Sequence, residues 1–190
     1  MRRYIVILII LMSSTAALEA QQMSVKTNIL SDCLLNPNVG IETRLSDKWT
    51  LGMSVAYNPF TFSNNKKLHH ITIKPEARYW LCSSFAGHFV GVHLMYSHFN
   101  AGGVEFPLGL FPSLERHRFQ GNLGAVGVLY GYSWMLPSKR WNIEAEIGFG
   151  YGYASYDKYK CWRCGSKIGS EKRGIFLPTK LAVSLVYNIK

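Results

Sequence analysis

The 190-residue chain reads as all-β: an eight-stranded antiparallel up-and-down transmembrane β-barrel of the small outer-membrane-protein type. Three features carry that reading. The first is Trp141–Tyr153, WNIEAEIGFGYGY, where Trp141, Ile143, Ala145, Ile147, Phe149, Tyr151 and Tyr153 alternate with Asn142, Glu144, Glu146, Gly148, Gly150 and Gly152. A period of two held for this long is a strand with two unlike faces, and it outlasts most soluble strands. The second is the connections, which alternate between long and short as outer loops and periplasmic turns do in bacterial barrels. The third is Trp49, Trp134 and Trp141, which flank two of the short turns on the apolar face, where an aromatic girdle belongs.

The N-terminus predicts export. Arg2 and Arg3 precede an apolar run, Tyr4 to Met12, that is too short to span a bilayer as a helix, and small residues follow. Residues 1–20 read as a signal peptide cleaved after Ala20, with Ala17 as the alternative, leaving a single barrel domain over 21–190. The formal charge is +10. Export argues against nucleic acid as the basic chain's partner and favours outer-membrane lipids or lipopolysaccharide phosphates. The 17 glycines and 11 tyrosines suit a barrel, and a mean hydropathy near zero fits strands that are apolar only at every second position.

In chain order, strand one is Val25–Ser31 and strand two Val39–Leu45, separated by the loop DCLLNPN. A short turn leads to strand three, Trp49–Tyr57. The loop NPFTFSNNKKL precedes strand four, His69–Leu81, where Pro75 weakens the pattern or marks a bulge. Strand five is His88–Phe99. An irregular stretch spans roughly Asn100–His117, and strand six covers Arg118–Met135. The turn Pro137-Ser138-Lys139-Arg140 enters strand seven, Tyr156–Leu177 reads as a basic loop, and strand eight is Pro178–Lys190.

On this alternation Lys26, Arg44, Lys74, Arg78 and Lys180 point inward, as do Glu42, Glu76, Glu144 and Glu146. An eight-stranded barrel is just wide enough for side chains to fill, and buried charges must pair. These nine residues are therefore expected to form a lumenal ion network that plugs the barrel. Glu144 and Glu146 share a face as paired catalytic carboxylates would, but an ion network accounts for them.

With these residues in view, the chain resembles domain-of-unknown-function family 3575. The match runs through VKTNILSD (25–32), NPNVGIE (36–42), WTLGMSVAYNPFTFSNNKK (49–67), KPEARYWLC (74–82), FPLGLFPSLERHRFQG (106–121), KRWNIEAEIGFGYGY (139–153), YDKYKCWRCG (156–165) and PTKLAVSLVYNIK (178–190). The resemblance implies a secreted outer-membrane β-barrel of Gram-negative gut-type bacteria and no assigned activity. Proximity of some members to surface-fimbria genes implies adhesion or assembly, with a surface glycan or fimbrial component as partner. Outer-membrane barrels commonly end on an aromatic residue, whereas this chain ends on Lys190.

The remaining constellations are less specific. Cys161 and Cys164 form a CxxC for which a disulfide ranks ahead of a metal site or redox chemistry. Lys158, Lys160, Arg163, Lys167, Lys172 and Arg173 surround it and could hold an anion. His69, His70, His98 and His117, with Ser63, Ser97 and Ser113, fall at the outer rim, where a lipid A-modifying hydrolase or acyltransferase would keep its pair. No phosphate loop, metalloprotease helix or nucleophile elbow is present. The expectation is a monomeric, non-catalytic surface binding or structural protein without cofactor or metal. The alternatives are that membrane-embedded enzyme and a soluble periplasmic barrel, whose interior would be apolar.

Overall fold

The computed structural model describes residues 22–62, 66–102, 117–138, 140–160 and 165–189. It contains β1 (Met23–Asn28), α1 (Ile29–Cys33), β2 (Asn38–Arg44), β3 (Trp49–Asn58), β4 (Lys66–Trp80), β5 (Gly87–Gly102), β6 (Arg118–Met135), β7 (Trp141–Tyr159) and β8 (Lys167–Ile189). A two-residue strand, Thr61–Phe62, folds back on the start of β4. The eight long strands run up and down in one antiparallel sheet. Each pairs with its predecessor and successor, and β8 returns to β1. Where a sheet pairs with itself in this way, the paired stretches have no open edge.

The two faces differ as the alternation requires. Val92, Leu94, Val126 and Val128 lie exposed on the outer face, with Val128 at 64%. Lys26, Glu42, Glu76, Arg78, Glu144 and Glu146 are buried on the inner face, with Arg78 at 0%. A water-soluble sheet buries its apolar side.

Three features differ from expectation. β1 stops at Asn28, whose side chain accepts from the Ser31 amide and so caps α1. The Asn28 side-chain amide also accepts from the Val183 N–H and donates to the Leu181 carbonyl, taking the place of the lost ladder on β8. Pro75 causes no bulge. Its register with Met53 is unbroken, and the ladder to β5 skips from Ile73–Tyr96 to Glu76–His93 without a shift. The missing N–H of proline accounts for a gap of this kind. Asn100–Gly102 belong to β5 and not to a loop.

The largest correction concerns residues 156–177. Residues 156–159 and 167–177 are strand, not loop: β7 continues to Tyr159 and β8 begins at Lys167, paired through Tyr156–Glu171 and Ser155–Lys172. Cross-strand pairing satisfied these backbone groups where the charged composition suggested only solvent. Within β8 the register shifts between Gly148–Lys180 and Phe149–Pro178, so Thr179 is an extra, bulged residue.

The turn end of the sheet is closed from inside. Trp80, Phe85, Phe89 and Leu129 form the buried apolar cluster. Phe85 sits at φ 65° in the Leu81–Ala86 turn, which folds inward. Its carbonyl accepts from Asn142 Nδ2 (2.6 Å) and Ser133 Oγ (3.2 Å). Gly131 makes room for this cluster, since a Cβ there would stand 2.4 Å from the Phe89 ring.

Candidate functional site

The functional candidates lie on the inner face, in two storeys. The lower storey is a charge network centred on Arg78. Its Nη1 lies 2.9 Å from Glu42 and 3.0 Å from Glu144; its Nη2 lies 2.8 Å from Glu76 and also contacts Glu146. Lys26 bridges Glu42 (3.0 Å) and Glu76 (2.7 Å), and Lys180 bridges Glu76 and Glu146. Below the network, the Phe89 ring lies 4.6 Å from the guanidinium carbon of Arg78. Trp80 Nε1 donates to Thr50 Oγ1 (2.9 Å), and Thr50 Oγ1 donates to Glu42. The aromatic cluster and the charge network are thus one bonded unit. Seven of the nine inward charges meet here. Arg44 does not: it ends β2 and pairs with the exposed Asp47. Lys74 stands apart as well, donating to the Thr179 carbonyl (3.0 Å).

The upper storey is hollow. A cavity of about 790 Å³ occupies the half of the lumen toward the connections that follow β1, β3 and β5. The expectation of a filled lumen is therefore corrected. Many inward side chains at this level are short, Ser54, Ala56, Thr72, Ser97 and Ala101 among them, and leave the space between the strands unfilled.

A protein-family model described as "Protein of unknown function (DUF3575)" matches residues 5–189. The chain belongs to the DUF3575 family. No curated protein and no solved structure matches it.

In this DUF3575 chain Trp49, Trp134 and Trp141, expected to form a girdle, are about half exposed on the outer face at the turn end. Each packs its ring edge-on or tilted against a tyrosine: Tyr79 (5.2 Å), Tyr132 (4.7 Å) and Tyr187 (4.8 Å) respectively. The basic residues are spread along a hairpin. Lys158 is on β7, while Lys167, Lys172 and Arg173 are on β8. Lys172 and Arg173, as consecutive strand residues, point to opposite faces. Lys167 pairs with Asp157 (2.9 Å); its hydrogen bond, followed by that of Ser170, holds the Asp157 carboxyl below its usual range. Lys160 lies in the connecting turn. Arg163, Cys161, Cys164, Ser63 and Ser113 fall outside the described residues, as does the 1–20 segment expected to be a signal peptide. Cys33 and Cys82 are free.

His98 makes no hydrolase pair with Ser97. Its Nδ1 is 2.8 Å from Asn122 Oδ1 on the exposed face, whereas Ser97 points inward and shares a 2.8 Å hydrogen bond with Thr72. His69 and His70 line the cavity. His117 packs against Phe119.

Sequence reasoning missed His93 and Thr179. His93 is buried with Nε2 2.7 Å from Thr179 Oγ1. The alternation of Val90, Val92 and Leu94 already puts His93 on the inner face, so its direction was legible. Thr179 was not, because only the bulge turns it inward.

Proposed function

We propose that this chain is a transmembrane β-barrel of the outer membrane that serves as a surface binding or structural protein, and neither a channel nor an enzyme. The observation that carries the reading is the polarity of the closed sheet: exposed aliphatic side chains and a Trp–Tyr girdle outside, a bonded ion network inside. A lipid-facing barrel needs that arrangement, because the bilayer solvates the outer face and cannot solvate charge. A soluble periplasmic barrel would keep its aliphatic residues inside, whereas here many lie exposed outside and the lower half of the interior is charged. The Arg78 network and the Trp80–Phe85–Phe89–Leu129 cluster span the turn end, which argues against conduction.

The direct test is electrophoretic mobility of the outer-membrane fraction, unboiled beside boiled. The reading expects the protein in that fraction with a mobility shift on boiling. Recovery in the periplasm with no shift would overturn it.

A substitution separates lipid from water at the outer face. Val128 lies six positions from the girdle residue Trp134 on β6, well inside a belt of about 25 Å. Val128→Arg is expected to destabilise the protein in vesicles by about 2–4 kcal/mol if that face meets hydrocarbon. Urea unfolding in vesicles reads this directly, and an unchanged midpoint would mean that Val128 faces water.

A further inference from the structure

The upper cavity differs from the plugged storey beneath it in one useful respect: lysines line its floor and its walls are mostly apolar. Lys26, Lys74 and Lys180 line the floor with a single carboxylate, Glu146. Lys26 and Lys180 are committed to the glutamates of the network. Lys74 joins no ion pair among the described residues; its ammonium is held 3.0 Å from the Thr179 carbonyl. An ammonium has three donors, so Lys74 retains capacity for an anionic acceptor from the cavity. Thr72 and Ser97, bonded to each other, add hydroxyls at the same level. Above them the wall is formed by Met95, Phe99, Leu123 and Leu177. The volume of about 790 Å³ falls within the roughly 300–1,000 Å³ of small-molecule sites, which also combine apolar walls with a few fixed polar groups.

The cavity also reaches an interruption in the sheet. β8 pairs with β1 only from Ser184 onward, and on that side its earlier residues have no ladder partner among the described residues. Pro178, which has no N–H to leave unpaired, lies in this stretch. Leu177 and Leu181 on β8, and Leu34 after α1, line the cavity on either side of the gap.

The geometry points to a binding site for a single-headed anionic amphiphile, its carboxylate or phosphomonoester on Lys74 and its hydrocarbon chain along Met95, Phe99, Leu123 and Leu177. One uncommitted ammonium sets one anionic head, and the apolar wall selects a chain over a sugar. This inference rests on the barrel reading above and names the ligand class of the lumen.

The test uses the full-length mature protein in nanodiscs of zwitterionic lipid, with four labelled probes of equal chain length: palmitate, hexadecyl phosphate, 1-hexadecanol and cetyltrimethylammonium. The expected result is saturable retention of palmitate or hexadecyl phosphate, at least tenfold tighter than of the alcohol or the cation. Preference between the two anions distinguishes a carboxylate source from a phosphate source. Lys74→Met should weaken anion retention at least tenfold. Ala56→Trp, which fills the cavity and leaves Lys74 intact, should abolish it. Boiling-dependent mobility of each variant reports folding separately. A heat-modifiable protein that retains no probe, or binds the alcohol as well as the acid, overturns the ligand assignment and leaves the barrel reading standing. Lys74-dependent retention by a protein without the mobility shift supports the site and overturns its membrane placement.

Discussion

Replacing Arg78 with methionine is expected to lower the unfolding free energy by about 3–5 kcal/mol, the range for breaking a buried ion pair by removing one partner. The seven-residue network holds three cations and four carboxylates, and Arg78 touches all four carboxylates. Without it, Lys26 and Lys180 face four glutamates in a space that Trp80 and Phe89 close on the turn side. The carboxylates must then take up protons or draw in water, and either route lowers stability. Arg78→Lys keeps the charge but loses the planar fork, so it should fall between wild type and Arg78→Met. Glu144 ion-pairs with Arg78 alone among the described residues. Adding Glu144→Gln to Arg78→Met should therefore recover part of the loss, because it removes the carboxylate left with no cation. Urea midpoints in vesicles measure all three variants. A midpoint for Arg78→Met equal to wild type would mean that the network contributes nothing net to the fold.

Trp80→Ala is expected to destabilise by a similar amount, about 3–5 kcal/mol, for a different reason. Trp80 is fully buried, with ring centroids 4.5 Å from Phe89 and 5.9 Å from Phe85. Its removal leaves a void under the charge network that the closed sheet cannot collapse to fill, since the strands are held on both sides. The indole also positions Thr50, which donates to Glu42, so the loss reaches the ions above. Trp80→Phe keeps much of the packing and frees the Thr50 hydroxyl, and it should cost about 1–2 kcal/mol. The same urea titration checks both, and the ordering Ala below Phe below wild type is the expected outcome. Equal losses for the two would assign the whole effect to the indole hydrogen bond and none to packing.

Much of this architecture is legible in the chain because a strand repeats every two residues. Trp141–Tyr153 announces its faces without any knowledge of its neighbours, and β6 begins and ends where its sequence pattern does. The direction of each inward charge follows from the same rule. Its height does not. Register partners climb obliquely around the sheet: the row that starts at Glu42 passes Gly52, Glu76, His93, Gly127 and Gly150, and arrives at Leu177, beyond the last β8 residue paired to β1. Arg44 and Arg78 both flank Thr50 in register, yet one reaches a solvent-exposed aspartate and the other four buried glutamates. Strand alternation alone gives them identical roles.

The sequence by itself determined the all-β class, the number of long strands, their two faces and which charges point inward, because each depends on a local period of two. Only the tertiary structure decided which charges meet, that the Leu81–Ala86 turn plugs one end with Phe85, that Thr179 turns inward at a bulge, and that the other end is hollow. Those features depend on stagger between strands far apart in the chain and on the summed volume of side chains from all of them, which no single stretch encodes.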